Sequence, residues 1–197
     1  LGGYGDESLR LLREGLQATK KFIPVEVTYD DKGSLYFDKF IETKEYYIPA
    51  KEIEILNTYK HQIAELTGDC NIYDVGAGSS KKTVILLQEY SRRYGKVNFN
   101  PIDINQNIML EGAKNYINEI DDINVHCIVG AYCDVFNHKI TNSERNLFIL
   151  IGSSISQEAD DRLLSDIRKQ LNVGDYFLIS FDLQKEPDIL RSAYQND

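Results

Sequence analysis

Apolar positions recur along this chain in two periods, and the switch between them predicts its architecture. Leu9, Leu12 and Leu16 lie at helical spacing, so a short helix with one packing face is expected over residues 6–17. After Pro24, residues 25–29 alternate in the manner of a strand and lead into the turn residues Asp30, Asp31, Lys32 and Gly33. Ser34 then stands as the N-cap of a helix carrying Phe37, Phe40 and Ile41 on one side. Pro49 falls near the first turn of a longer helix whose face reads Ile53, Leu56, Tyr59, Ile63 and Leu66, with Gly68 closing it. Residues 1–68 therefore read as an N-terminal helical cap.

From residue 69 onward the pattern becomes strand, helix, strand. Residues 72–75 form a first strand, and a helix beginning near Ser80 carries Val84, Leu87 and Tyr90. A second strand spans residues 97–104, followed by a helix with Ile108, Met109, Ala113, Tyr116 and Ile117 inward. Residues 125–129, 146–151 and 176–183 read as three more strands, the middle one apolar throughout, as strands buried on both faces of a parallel sheet are. Leu163, Leu164, Ile167 and Leu171 stripe the helix before the last of these, and Gly174 ends it. Such alternation predicts an α/β fold, a Rossmann-like doubly wound, mostly parallel sheet over residues 69–197, with ligands at the carboxyl ends of the strands.

The chemistry concentrates where the first strand ends. Asp74-Val75-Gly76-Ala77-Gly78-Ser79-Ser80 places two glycines between a buried strand and a helix, so backbone N–H groups and the positive helix end can approach a ligand closely. A dinucleotide fingerprint needs a third glycine where Lys81 stands, and a P-loop needs a glycine spacing absent here. What remains is acid-x-Gly-x-Gly, the pattern of methyltransferases that use S-adenosylmethionine (SAM). Asp103, ending the second strand, is placed to accept both hydroxyls of a ribose; an ordinary helix N-cap, a role Asn105 could also fill, is the competing reading. Tyr132, after the third strand, offers a stacking face for an adenine or plain core packing. Lys82 is either solvated or paired with an anion, and a solvated lysine is the simpler expectation. Gly152-Ser153-Ser154 ends the fourth strand with small residues that permit close approach.

Composition narrows the partners. With 31 acidic and 22 basic residues in 197, a net charge of −9 disfavours a nucleic-acid backbone and suits small-molecule ligands. Cys70, Cys127 and Cys133 lack metal or disulfide spacing and read as buried thiols in a reducing compartment; the three histidines form no ligand set, so no metal is expected. No apolar run approaches bilayer length and the N-terminus lacks a signal pattern, so a cytoplasmic protein off the membrane is expected. Thirteen tyrosines and no tryptophan are notable. Tyr29, Tyr46 and Tyr47 lie in the cap away from clean apolar stripes, either for packing or for a pocket whose phenols grip a carboxylate and whose rings steady an ammonium.

These pieces occur together in one order. Tyr29-Asp30-x-x-Gly33-Ser34-x-x-Phe37, Glu45-Tyr46-Tyr47 with Pro49, Gly76-x-Gly78-Ser79-Ser80-x-Lys82-Thr83, Pro101-Ile102-Asp103, Gly152-Ser153-Ser154-Ile155 and Asp182-Leu183-x-Lys185 with Ala193-Tyr194 resemble the histidine-specific methyltransferase family of the ergothioneine pathway. The resemblance runs from about residue 22 to the end. It implies a SAM-dependent N-methyltransferase, with S-adenosylhomocysteine as product, acting on the α-amine of an amino acid such as histidine or a derivative. By carry-over Tyr29 and Tyr46 would serve the transfer. Asp74, Gly76, Gly78, Ser79, Lys82, Asp103 and Tyr132 would hold SAM, and Gly152, Gln157 and Tyr194 would hold the substrate.

The chain also departs from that pattern. Gln157 replaces an asparagine, Ser156 a glycine, and Ala131 an acid expected at the adenine. The family continues past the position of Asp197 with further strands and side-chain selectors, so the SAM domain is expected to be incomplete at its C-terminus. Hence the alternative: a non-catalytic module of the same fold that completes its sheet with a partner or with a second copy of itself, a homo-oligomer. A nicotinamide-dependent oxidoreductase is disfavoured by the missing third glycine and by the lack of an acid–base pair.

Overall fold

The computed structural model describes residues 6–142, 144–152, 155 and 162–195. Four helices, α1 (Asp6–Gln17), α2 (Val25–Thr28), α3 (Asp31–Ile41) and α4 (Ile48–Thr67), precede the first strand. Then come β1 (Asn71–Val75), α5 (Val84–Tyr94), β2 (Val97–Asp103), α6 (Gln106–Glu119), β3 (Ile123–Val125), β4 (Ile128–Val129) and α7 (Tyr132–Val135). The described chain ends with β5 (Asn146–Leu150), α8 (Arg162–Gln170), β6 (Tyr176–Ile179) and α9 (Pro187–Tyr194). The strands lie in the order β3-β2-β1-β5-β6, with β4 also paired to β2, and every pairing is parallel. The order reverses at β1, where a chain leaving to either side opens a crevice at the carboxyl ends of the strands.

Strand periodicity divides the interior in two. Ile72, Phe99, Leu147 and Ile149 meet Leu56 and Ala64 of α4, Leu86, Leu87 and Tyr90 of α5, and Tyr116 of α6. Tyr73, Val75, Ile102, Phe148 and Leu150 meet Phe136 and, from α8, Leu163 and Ile167. All five residues of β1 are buried, as expected of a central parallel strand. The Tyr73 and Phe148 rings stack across β1 and β5 with centroids 4.8 Å apart.

Several expectations need correction. Residues 25–28 are a helix: the segment joins no ladder among the described residues, and the Pro24 carbonyl accepts from the Val27 and Thr28 amides instead. The next helix starts at Asp31 and is capped by Asp30, whose carboxylate accepts from the Gly33 amide at 2.7 Å. A Cβ on Gly33 would lie 1.8 Å from the Thr28 carbonyl, so glycine there permits the tight approach of α2 and α3 rather than a turn. The helix after the glycine turn begins at Val84, with Ser80 held in a left-handed turn (φ 47°). The expected third strand breaks at His126 and Cys127 into β3 and β4; the fifth ends at Ile179; α8 ends at Gln170, before Gly174. Helix α9 was not anticipated.

The stripes also bury less than their periodicity implies. Leu9 and Leu16 of α1, Tyr59 and Leu66 of α4, and Ile117 of α6 are exposed. Of the cysteines only Cys70 is buried, and Cys133 is exposed. No helix among the described residues is long and apolar enough to cross a membrane.

Gly112 lies inside α6, where its Cβ would stand 2.7 Å from the Tyr116 hydroxyl and 3.0 Å from the Ser79 carbonyl. The missing side chain lets α6 press against the glycine turn, and the Tyr116 hydroxyl donates to that carbonyl. Gly112→Ala would gain up to about 1 kcal/mol of helix propensity but overpack this contact by roughly 1–3 kcal/mol. Crowding wins, so we expect net destabilisation in urea unfolding; a more stable variant would show that the turn yields.

Candidate active site

The turn after β1 takes its shape from backbone partners. Gly76 and Gly78 have φ of 74° and 51°, a region where a Cβ would be strained. The Gly76 and Ala77 amides donate to the Ile102 carbonyl, at 2.9 and 3.1 Å, which ties the turn to β2. The Gly78 amide donates to Asp103 Oδ2 at 2.7 Å, and the other Asp103 oxygen accepts from the Asn105 amide at 2.8 Å. Burial still raises the Asp103 carboxyl above the usual carboxylate range, against these backbone hydrogen bonds. Asp103 is thus a second-strand acid facing the glycine turn, while Asn105 caps α6 through the Asn107 and Ile108 amides.

Asp74 sits beneath the turn, almost fully buried. Its Oδ2 accepts from the Thr83 hydroxyl at 2.6 Å. Burial pushes its carboxyl up to about 6, against the lowering effect of the Thr83 and Ser80 hydroxyls and the Lys82 charge. Lys82 is not a solvated lysine. Its ammonium donates to Glu52 Oε2 at 2.6 Å and to the Ile151 carbonyl at 3.3 Å. Glu52 Oε1 accepts from the Ser180 hydroxyl at 2.6 Å, and Ser180 Oγ accepts from the Gly152 amide at 3.0 Å. Helix α4 is thereby joined to the ends of β5 and β6.

A second polar link joins α3 to the Asp103 loop. The Asn105 side-chain amide donates to the Ser34 hydroxyl at 3.0 Å and to the Tyr29 carbonyl at 3.2 Å, so Ser34, expected as a cap, serves this contact instead. Tyr29 packs edge-on against Phe37, with centroids 5.6 Å apart. Tyr46 is buried against Phe40 at 4.4 Å and against Tyr194 at 5.4 Å.

These elements enclose a cavity of about 730 Å³. Its wall includes Tyr29, Tyr46, Asp74, Gly76, Gly78, Ser79, Lys82, Asp103, Tyr132 and Gly152, drawn from segments scattered over some 120 residues of chain. Tyr194 is not on that wall and reaches it only through Tyr46. Gln157, with Ser153, Ser154 and Ser156, lies outside the described residues. Sequence reasoning missed Glu52, Ser180 and Gly112. Glu52 carried a signal: it shares a helix face with Leu56, four residues on, where a carboxylate needs a partner.

The wall is acidic. Glu14, Asp38, Glu42, Glu52, Asp74, Asp103 and Asp166 face Lys81, Lys82 and Arg162 across it. Apolar residues, Phe22, Ile23, Pro24, Phe37, Ile41 and Ile48 among them, line the side formed before β1. An excess of carboxylates in a partly apolar crevice suits cationic ligands.

A parallel sheet with this crevice at its reversal point, two left-handed glycines and an acid closing β2 defines the Rossmann-like methyltransferase class. A model of the SAM-dependent, histidine-specific methyltransferase family matches residues 8–197, and the chain belongs to that family. The histidine N-alpha-methyltransferase of Mycobacterium tuberculosis is 28% identical over 185 residues, covering 92% of this chain and 57% of the relative. The N-methyltransferase dtpB of Aspergillus flavus is 26% identical, with 93% and 56% covered. The chain thus spans a little over half the length of these curated relatives. A crystal structure from Thermobifida fusca, assigned as a methyltransferase, superposes with a TM-score of 0.57 at 16% identity over 93% of this chain and 69% of that one, a likeness of fold.

Asp74 makes stability depend on pH. Its folded value of about 6 lies above the unfolded 3.8, so the folded state binds this proton more tightly, and its contribution falls as pH rises from about 4 to 6. Asp74→Asn keeps an oxygen for Thr83 and removes the charge. Relative to the parent it should gain stability over that range, by about 3 kcal/mol at most above pH 6. Chemical denaturation at pH 4 and pH 7 measures this, and equal differences at both values would contradict it.

Proposed function

We propose that the protein is a SAM-dependent N-methyltransferase acting on the α-amine of an amino acid, histidine or a close derivative. One observation carries this reading beyond family membership: Tyr29 and Tyr46, from the connections between the helices before β1, stand on the same cavity wall as the glycine turn and Asp103. Residues 1–68 are a cap that forms part of the substrate pocket in this reading, and residues 69–197 are the SAM-binding domain.

The residues present fit an adenosyl amino acid. Asp103 has a carboxylate held by backbone amides at the cavity wall, with no ion pair among the described residues, as ribose hydroxyls require. A Cβ on Gly78 would meet nothing within 4 Å, so open space adjoins the turn where the adenosyl group would lie. Tyr132 would flank the adenine and Lys82 would face the ligand carboxylate, with Gly76 and Ser79 lending backbone and Asp74 supporting the turn from below. SAM supplies, when bound, an electrophilic methyl group on a cationic sulfur.

The chain's own part is alignment. The Tyr29 and Tyr46 phenols would orient the amino acid, and Gly152, small at the end of β5, would let it approach. Holding two reactants in line contributes roughly 7–11 kcal/mol when orientation is good. The α-amine attacks as its neutral form, reached by losing a proton to solvent, and the excess of wall carboxylates favours the sulfonium of SAM. Tyr194 would join the substrate side through Tyr46, and the role of Gln157 there is what the family's sequence pattern implies.

Calorimetry with S-adenosylhomocysteine on this chain tests the reading, and absence of heat or thermal shift would remove it. Lys82→Ala and Asp103→Ala should each weaken that binding about tenfold or more, as loss of a charged hydrogen-bond partner does. Tyr46→Phe keeps the packing on Phe40 and Tyr194. It should leave S-adenosylhomocysteine binding intact while lowering methylation of an amino-acid panel followed by mass spectrometry.

A further inference from the structure

We infer that Glu52 is a positioning residue for the carboxylate end of the adenosyl ligand, acting through Lys82; this rests on the methyltransferase reading above. Glu52 lies on the buried face of α4, with its side chain only 8% exposed, where an aliphatic residue would avoid the desolvation of a charge. Both of its oxygens are used, Oε2 by Lys82 and Oε1 by Ser180. Ser180 in turn accepts the Gly152 amide, and Lys82 also donates to the Ile151 carbonyl. A single carboxylate therefore fixes α4, the start of α5 and the ends of β5 and β6 around one ammonium.

Among the described residues, the geometry leaves that ammonium one donor to spend. A lysine has three N–H groups; two are taken by Glu52 and Ile151, and Lys82 is 23% exposed on the cavity wall. An untethered lysine would lose its rotamer freedom when a ligand carboxylate arrived, whereas here the ordering is done beforehand. Gly152 belongs to the same device. A Cβ there would stand 3.0 Å from Lys82 Nζ, so a larger residue would push the ammonium off its place.

A purely structural tie between α4 and the sheet would act on every ligand of the cavity alike. Positioning through Lys82 acts only on ligands that carry the carboxylate. Two probes separate these roles: S-adenosylhomocysteine, which has the amino-acid tail, and 5′-methylthioadenosine, which lacks it. Glu52→Gln keeps the side-chain length and loses the charge. We expect it to weaken S-adenosylhomocysteine about tenfold in calorimetry while 5′-methylthioadenosine changes by less than about twofold, with a melting temperature within about 3 °C of the parent.

In a Lys82→Ala background the same substitution should have no further effect on S-adenosylhomocysteine. Equal losses for both probes, no loss, or tighter binding would overturn the inference. Should Glu52→Gln fail to fold, Ser180→Ala replaces it, with a smaller loss expected for the carboxylate-bearing probe alone, and equal effects on both probes again count against the inference. A parent that binds neither probe removes the methyltransferase reading and this inference with it. A parent that binds S-adenosylhomocysteine, with Glu52→Gln binding it equally, removes only the role of Glu52.

Discussion

The burial of β1 on both faces is the constraint from which the site follows. A strand with every residue inside the protein must leave the sheet through a turn that is itself partly buried, and buried amides need acceptors. The neighbouring strand supplies them: the Ile102 carbonyl takes two turn amides and the Asp103 carboxylate a third. The acid at the end of β2 is therefore both a structural acceptor for the turn and a group on the wall of the crevice. Any shift of β2 against β1 would disturb both roles together, which ties the candidate site to the β1–β2 register.

The helices before β1 are attached to this frame by polar links as well as apolar packing. Asn105 reaches the Tyr29 carbonyl and Ser34 at one side of the cavity, and Glu52 reaches Lys82 and Ser180 at the other. Between them lie the Phe37, Phe40, Tyr46 and Tyr194 rings in successive contact. Directional bonds set where α3 and α4 sit, while the aromatic rings add non-directional contact. Apolar packing alone tolerates sliding, and a site that must align two ligands does not.

Much of this could be read from residue order. The buried strands announced themselves by composition, and the two-glycine turn with Asp103 some twenty-five residues beyond was enough to place a ligand crevice. What escaped is non-local. Residues 25–29 alternate like a strand, yet 25–28 are helical and pair with no strand among the described residues. Asp30 and Ser34 are both sound caps by type, and Asn105, some seventy residues away, decides that Ser34 has another partner. Lys82 looked solvated because its counter-charge, Glu52, is thirty residues earlier on a helix whose stripe was read as wholly apolar.

The same separation bears on what each part of the cavity can specify. The acceptors and glycines that fit an adenosyl group come from β1, β2 and the turns after them, where geometry is fixed by the parallel ladder. The surfaces that would meet an amino acid come from α3, α4, the connections that carry Tyr29 and Tyr46, and the end of β5, joined by side-chain contacts that substitution can alter one at a time. Affinity for the shared ligand is thus tied to the integrity of the fold, and choice of the second ligand is not. Lys82 stands at the boundary, on the turn by sequence and on α4 by its ion pair.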